Sequence, residues 1–131
     1  MSNQWRILYL EDLVRWREVV SYILKCDGFL VDTAGNVEEA LEMLGKEFYH
    51  LAILDIRIDE GNASDEDGGM RLLAQLNRQG NNSEMKIIML TAYGTKEQMR
   101  NAFALYRVAD FLDKADFDNV VFLNRVREIL A

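Results

Sequence analysis

The chain has 131 residues, 50% of them hydrophobic and 28% charged. That is the length of one ordinary domain, able to bury roughly 65–70% of its unfolded surface without disulfide or metal staples. Fifteen Lys and Arg stand against 22 Asp and Glu, a net charge of −7, which disfavours nucleic acid and anionic membrane surfaces as direct partners. The lone cysteine, Cys26, excludes an internal disulfide and fits a reducing compartment. No apolar run approaches the ~20 residues that span a bilayer, and the first residues lack a signal-peptide layout. One cytoplasmic domain over residues 1–131 is expected.

In chain order, Ile7 to Leu10 is a short apolar run ended by Glu11 and Asp12. Leu13, Trp16, Val20, Ile23 and Leu24 then recur at helical spacing, with Gly28 as the stop. Phe29 to Thr33 reads as a strand. Asn36 with Glu39 opens a second helix bearing Ala40, Leu41 and Leu44. Leu51 to Leu54 is another apolar run, ended by Asp55. From Asp59 to Gly69 no large apolar residue occurs, so an acidic loop insertion is expected around 59–69, long for a compact α/β unit. Met70, Leu72, Leu73 and Leu76 mark a third helix, closed by a Gln79-Gly80-Asn81-Asn82 turn. Lys86 to Leu90 is a strand ended by Thr91. Thr95 with Gln98 forms a capping box opening a fourth helix through Met99, Ala102, Phe103 and Tyr106. Ala109 to Leu112 is a short strand ended by Asp113 and Lys114. Asp116 is expected to cap a last helix with Val120, Leu123, Val126, Ile129 and Leu130.

The pattern is strand–helix repeated five times. Strands that read as continuous apolar runs belong to a parallel sheet covered on both faces. The expected fold is therefore α/β, a doubly wound five-stranded parallel sheet in a three-layer αβα sandwich. Ligands of such sheets bind outside the carboxyl ends of the strands. If the strand order is 2-1-3-4-5, Glu11, Asp12, Asp55, Thr91 and Lys114 converge there. Clustered carboxyl groups repel one another unless a cation intervenes, and an all-oxygen site suits Mg²⁺. A carboxylate nucleophile beside a metal, a hydroxyl and a lysine describes a phosphoryl-accepting site. Taken singly, Asp12 also reads as a helix N-cap and Asp55 as a turn residue. The signal is their joint placement.

At these residues the chain resembles the response-regulator receiver domain of two-component signalling, a chemotaxis-regulator-like, flavodoxin-like fold. The motifs are Ile7-Leu8-Tyr9-Leu10-Glu11-Asp12, Leu51-Ala52-Ile53-Leu54-Asp55, Ile88-Met89-Leu90-Thr91-Ala92 and Phe111-Leu112-Asp113-Lys114, and the resemblance runs from Ile7 to Leu130. It implies that Asp55 is phosphorylated by a sensor histidine kinase or phosphotransfer protein. It implies Mg²⁺ held by Glu11, Asp12, Asp55 and the backbone carbonyl of Arg57. Thr91 and Lys114 would bind phosphoryl oxygens. Thr91 and the switch aromatic Phe111 would repack the surface of the fourth helix, fifth strand and fifth helix, through which a homodimer is also expected. Phe111 has no hydroxyl to hold it outward, so a ring buried much of the time is expected even without phosphate.

The chain departs from the family in three places. Ala115 follows Lys114 where proline is usual, so a trans bond is expected. The acidic 59–69 segment is longer than usual, read as a solvated loop or a docking lid. Arg57 and Tyr93 stand two residues beyond Asp55 and Thr91, positions that the resemblance implies flank the path of an attacking water, so bulky groups there are expected to slow phosphate loss. A haloacid-dehalogenase-like phosphatase would need Asp where Arg57 stands, and a flavodoxin-like carrier would need a phosphate loop where Glu11 and Asp12 stand. The remaining alternative is a receiver-like interaction domain that works without phosphorylation. Outside the motifs, His50 reads as structural, Cys26 as a small apolar filler, and Trp16 as a core residue one turn from Asp12.

Overall fold

Five apolar runs of four to six residues cannot satisfy their backbone groups alone, and they pair. In the computed structural model, which describes residues 4–60, 63–65, 67–79, 84–92 and 94–131, the sequence elements form one five-stranded parallel sheet. The elements are β1 (Arg6–Leu10), α1 (Val14–Cys26), β2 (Leu30–Ala34), α2 (Val37–Lys46), β3 (Leu51–Leu54), β4 (Ile58–Glu60), β5 (Ala63–Asp65), α3 (Gly68–Gln79), β6 (Lys86–Thr91), α4 (Lys96–Tyr106), β7 (Asp110–Asp113), a 3₁₀ turn (Lys114–Asp116) and α5 (Asn119–Leu130). The sheet order is β2-β1-β3-β6-β7, the expected 2-1-3-4-5 once the small β4–β5 pair is set aside.

Alternation along the strands divides the core in two. Leu8, Leu10, Ala52, Leu54, Ile87 and Met89 face one side, where α2, α3 and α4 add Ala40, Leu72, Leu73, Leu76 and Ala102. Ile7, Tyr9, Leu51, Ile53, Ile88 and Leu90 face the other, where α1 and α5 add Val20, Leu24, Phe122 and Val126. The three central strands are buried on both faces, which is why they carry no polar alternation.

Local signals set most helix ends. Gly28 takes φ 93° after α1, where its amide donates to the Lys25 carbonyl. The Asn36 side chain accepts from the Glu39 amide. The Thr95–Gln98 capping box is complete in both directions. Three expectations are corrected. The cap of α5 is Asp118, not Asp116: its carboxylate accepts from the Val120 and Val121 amides, while Asp116 ends the 3₁₀ turn. The acidic segment is not loop throughout, because β4 and β5 pair antiparallel, Ile58 opposite Asp65 and Glu60 opposite Ala63. Cys26 is exposed, not a core filler, because it falls on the outer side of the last turn of α1. The expected 79–82 turn lies largely outside the described residues. His50 has a structural place: its Nδ1 accepts from the Arg6 amide at 3.0 Å, and its ring meets Trp5 and Phe48 edge-on.

Candidate functional site

The register decides what meets at the carboxyl edge of the sheet. Leu10 pairs with Leu54, Leu54 with Met89, and Thr91 with Asp113. The ladder continues one step further, since the Asp55 amide donates to the Leu10 carbonyl and the Glu11 amide to the Ala34 carbonyl. Glu11 and Asp55 therefore leave their strands at the same level, in the row of Leu90 and Leu112, with Thr91 one residue and Lys114 two residues further along. Glu11 is fully buried, and Asp55, Thr91 and Lys114 are nearly so.

Lys114 reaches across the sheet to the carboxylates. Its Nζ lies 2.8 Å from Asp55 Oδ2 and 2.6 Å from Glu11 Oε1. No cis peptide bond occurs among the described residues, so Lys114–Ala115 is trans, and the lysine nonetheless seats itself in the site. The other Asp55 oxygen accepts from the Ile56 amide at 2.7 Å. Oxygens of Glu11, Asp12 and Asp55 all lie within 4.8 Å of one another. Such an all-oxygen set suits a hard divalent cation. Burial and the neighbouring Asp55 charge push the Glu11 carboxyl up to about 7, although Lys114 pulls it back. Burial works to lower the Lys114 pKa, but its hydrogen bonds to Asp55 and Glu11 outweigh this and raise it. The site thus holds more negative charge than one ammonium relieves, as expected where a cation belongs.

A cleft of about 380 Å³ opens above these groups, lined by Asp12, Leu13, Trp16, Asp55, Arg57, Ala92, Lys114 and Ala115. Arg57 stands on its wall two residues beyond Asp55. Tyr93 lies outside the described residues. Beneath the cleft, α3 starts almost in contact with Asp55: a Cβ on Gly69 would sit 2.1 Å from the Asp55 carbonyl oxygen, so only glycine fits there. Phe111 is half-buried against the α2–α3–α4 core. Its ring tip lies where a side chain on Gly94 would go, 2.6 Å from an ideal Cβ that would also stand 3.1 Å from Thr91 Cγ2. Thr91, Gly94 and Phe111 therefore share one packing site.

Three residues at the site were not singled out by their role in the sequence. Tyr9 donates its hydroxyl to Glu11 Oε1 at 3.0 Å. Two residues upstream on one strand, it had to share a face with Glu11, and that period was a usable signal. Arg17 Nη1 donates to the Glu11 and Asp12 carbonyls at 2.9 and 3.3 Å and braces the acidic turn. Trp16, expected in the core, is half-buried against the α1–α5 core and also lines the cleft, with Lys114 Nζ 4.8 Å from its ring centroid. Asp12 is not the α1 cap: the cap position is Leu13, whose amide donates to Glu11 Oε2 at 3.2 Å.

Among proteins of known sequence and structure, residues 7–127 match the response regulator receiver domain. The transcriptional regulatory protein CpxR homolog of Haemophilus influenzae is 30% identical over 125 residues, 95% of this chain and 50% of that protein. A response regulator receiver domain protein from Methanospirillum hungatei has a similar structure, with a TM-score of 0.84 at 24% identity over 98% of this chain and 94% of that one. Response regulator TrrA of Thermotoga maritima, solved in complex with Mg²⁺ and BeF, superimposes with a TM-score of 0.76 at 27% identity, covering 97% of this chain and all of the other. The chain spans half or less of the length of the curated relatives it matches. With its strand order, its acidic strand ends and a matched span of nearly its whole length, this chain belongs to the response regulator receiver domain family.

Proposed function

We propose that the chain is a phosphoacceptor, and that Asp55 takes a phosphoryl group from the phosphohistidine of a sensor histidine kinase or phosphotransfer protein. The observation that carries this reading is the buried bridge of Lys114 Nζ to Asp55 and Glu11, built from the ends of three strands. An Asp55 carboxylate oxygen attacks phosphorus in line. The P–N bond breaks, and its electron pair returns to the imidazole of the donor. Lys114, already over Asp55, directs its charge to a phosphoryl oxygen, and the Thr91 hydroxyl donates to another. Glu11, Asp12, Asp55 and the Arg57 backbone carbonyl are the groups that would hold Mg²⁺. When bound, the ion supplies positive charge against the phosphoryl oxygens. The raised Glu11 pKa and the all-oxygen set support that assignment, as does the Mg²⁺ and BeF bound by the Thermotoga relative.

Phosphorylation shifts a balance that the shared packing of Thr91, Gly94 and Phe111 already sets. Thr91 drawn to the phosphoryl group changes the room available to the Phe111 ring. The surface of α4, β7 and α5 then repacks. Met99, Phe103 and Leu105 of α4 are exposed and give that surface apolar anchors for an output partner or a second copy. No helix among the described residues is long and apolar enough to cross a membrane, and we place the domain in the cytoplasm, where its kinase partner would phosphorylate it.

Incubation with acetyl phosphate and Mg²⁺, followed by intact-mass measurement, tests the reading. The parent gains one PO₃ group and Asp55→Ala gains none. Equal masses with and without the donor would favour a receiver-like domain that works without phosphorylation.

A further inference from the structure

Lys114 carries a partner that the phosphorylation chemistry does not use. The face of Trp16 lies against its ammonium, 4.8 Å from centroid to Nζ. The indole is itself held edge-to-face by Phe117, at 5.5 Å and 85°. Phe117 packs on Phe122 of the α1–α5 core, at 5.1 Å. The Phe117 amide donates to the Lys114 carbonyl, closing the 3₁₀ turn. One turn therefore presents the lysine and carries the ring that braces the tryptophan. This matters because Ala115 leaves the backbone after Lys114 without a ring constraint. The flexible four-carbon stem must still be ordered across the cleft. The two carboxylates that bind Nζ are also the two groups that change when Asp55 is phosphorylated to the acyl phosphate and a cation engages Glu11. The indole does not change.

We propose that Trp16 is a positioning residue that holds the Lys114 ammonium over Asp55 by a cation–π contact through both states of the site. The inference rests on the phosphoacceptor reading. It predicts that phosphoryl-group recognition follows the electron density of the ring at position 16, and not only its volume.

The test is calorimetric titration with beryllofluoride in Mg²⁺, in a Trp5→Phe background that leaves one tryptophan. Affinity should fall in the order Trp16, ring-fluorinated Trp16, Trp16→Phe, Trp16→Leu. The loss to leucine should be roughly threefold to thirtyfold. Fluorination keeps the shape of the ring and withdraws its π charge, so a packing role alone would leave that affinity unmoved. If Trp16→Leu does not fold, the fluorinated protein decides. A parent that binds beryllofluoride with the same affinity as its fluorinated form overturns the role of Trp16 alone. A parent that binds none overturns the phosphoacceptor reading and this inference with it.

Discussion

Glu11 is the most constrained side chain of the site. It is fully buried, and it accepts from Tyr9, Leu13 and Lys114. Its carboxyl is nonetheless pushed from 4.5 to about 7 by burial and by Asp55. A carboxyl raised in this way holds more protons folded than unfolded between those values. Its contribution to stability is therefore complete below about pH 4.5 and is lost as pH rises through about 7. In metal-free buffer the parent should lose Tm relative to Glu11→Gln across that interval, and Mg²⁺, which prefers the ionised site, should cancel most of the trend. A constant Tm difference would show that Glu11 titrates as an ordinary glutamate. Tyr9→Phe removes one donor from the same buried carboxylate. The expected cost is about 1–3 kcal/mol in denaturant unfolding, and a loss under about 0.5 kcal/mol would reduce the hydroxyl to a bystander.

Helices take their placement from single polar side chains near the site. Gln98 completes the cap of α4 by accepting from the Thr95 amide, and its Nε2 donates to Asp67 just before α3, at 3.0 Å. One amide thus joins a helix start to the neighbouring helix. Gln98→Ala should cost about 1–2 kcal/mol, more than a surface substitution, because a cap and a tether are lost together. Thermal unfolding unchanged within experimental scatter would argue that water replaces both bonds. Gly94, just before that cap, leaves the room that the Phe111 ring fills. In Gly94→Ala the ring must swing toward solvent, and NMR should show its resonances moved toward exposed values. Unshifted Phe111 resonances would mean that the loop before α4 gives way instead, and that Gly94 does not set the ring position.

At the scale of the whole molecule, the sheet separates two cores. One is closed by α2, α3 and α4, and the other by α1 and α5. Arg127 of α5 pairs through two nitrogens with Asp27 at the end of α1, and this holds the Asp27 carboxyl below its usual range. The pair is exposed enough to add little stability, but it fixes which helix ends meet. Because the cores share no side chains, their losses should add. Ile87→Val on one side and Ile7→Val on the other should each cost about 0.5–1.5 kcal/mol. The double variant should match the sum within about 0.5 kcal/mol. A larger deviation would show strain passing through the sheet.

The five main strands and the five helices were legible in the residues because each rests on local rules, whereas the sheet order came with the family resemblance. Apolar runs too short for helices, period-3.6 stripes and caps at Asn36 and Thr95 need no distant partner. The acidic strand ends were legible for the same reason, since chain order alone carries them to one edge. The β4–β5 pair was hidden because its strands are three residues long and mostly polar, too short to show a period. The cap at Asp118 was displaced two residues by a 3₁₀ turn that tertiary packing imposes. Which carboxylates Lys114 touches, that Tyr9 binds Glu11, and that Trp16 faces the cleft were decided only by the assembled sheet. Those contacts depend on register between strands and on the angle at which α1 lies across them, and no residue encodes either by itself.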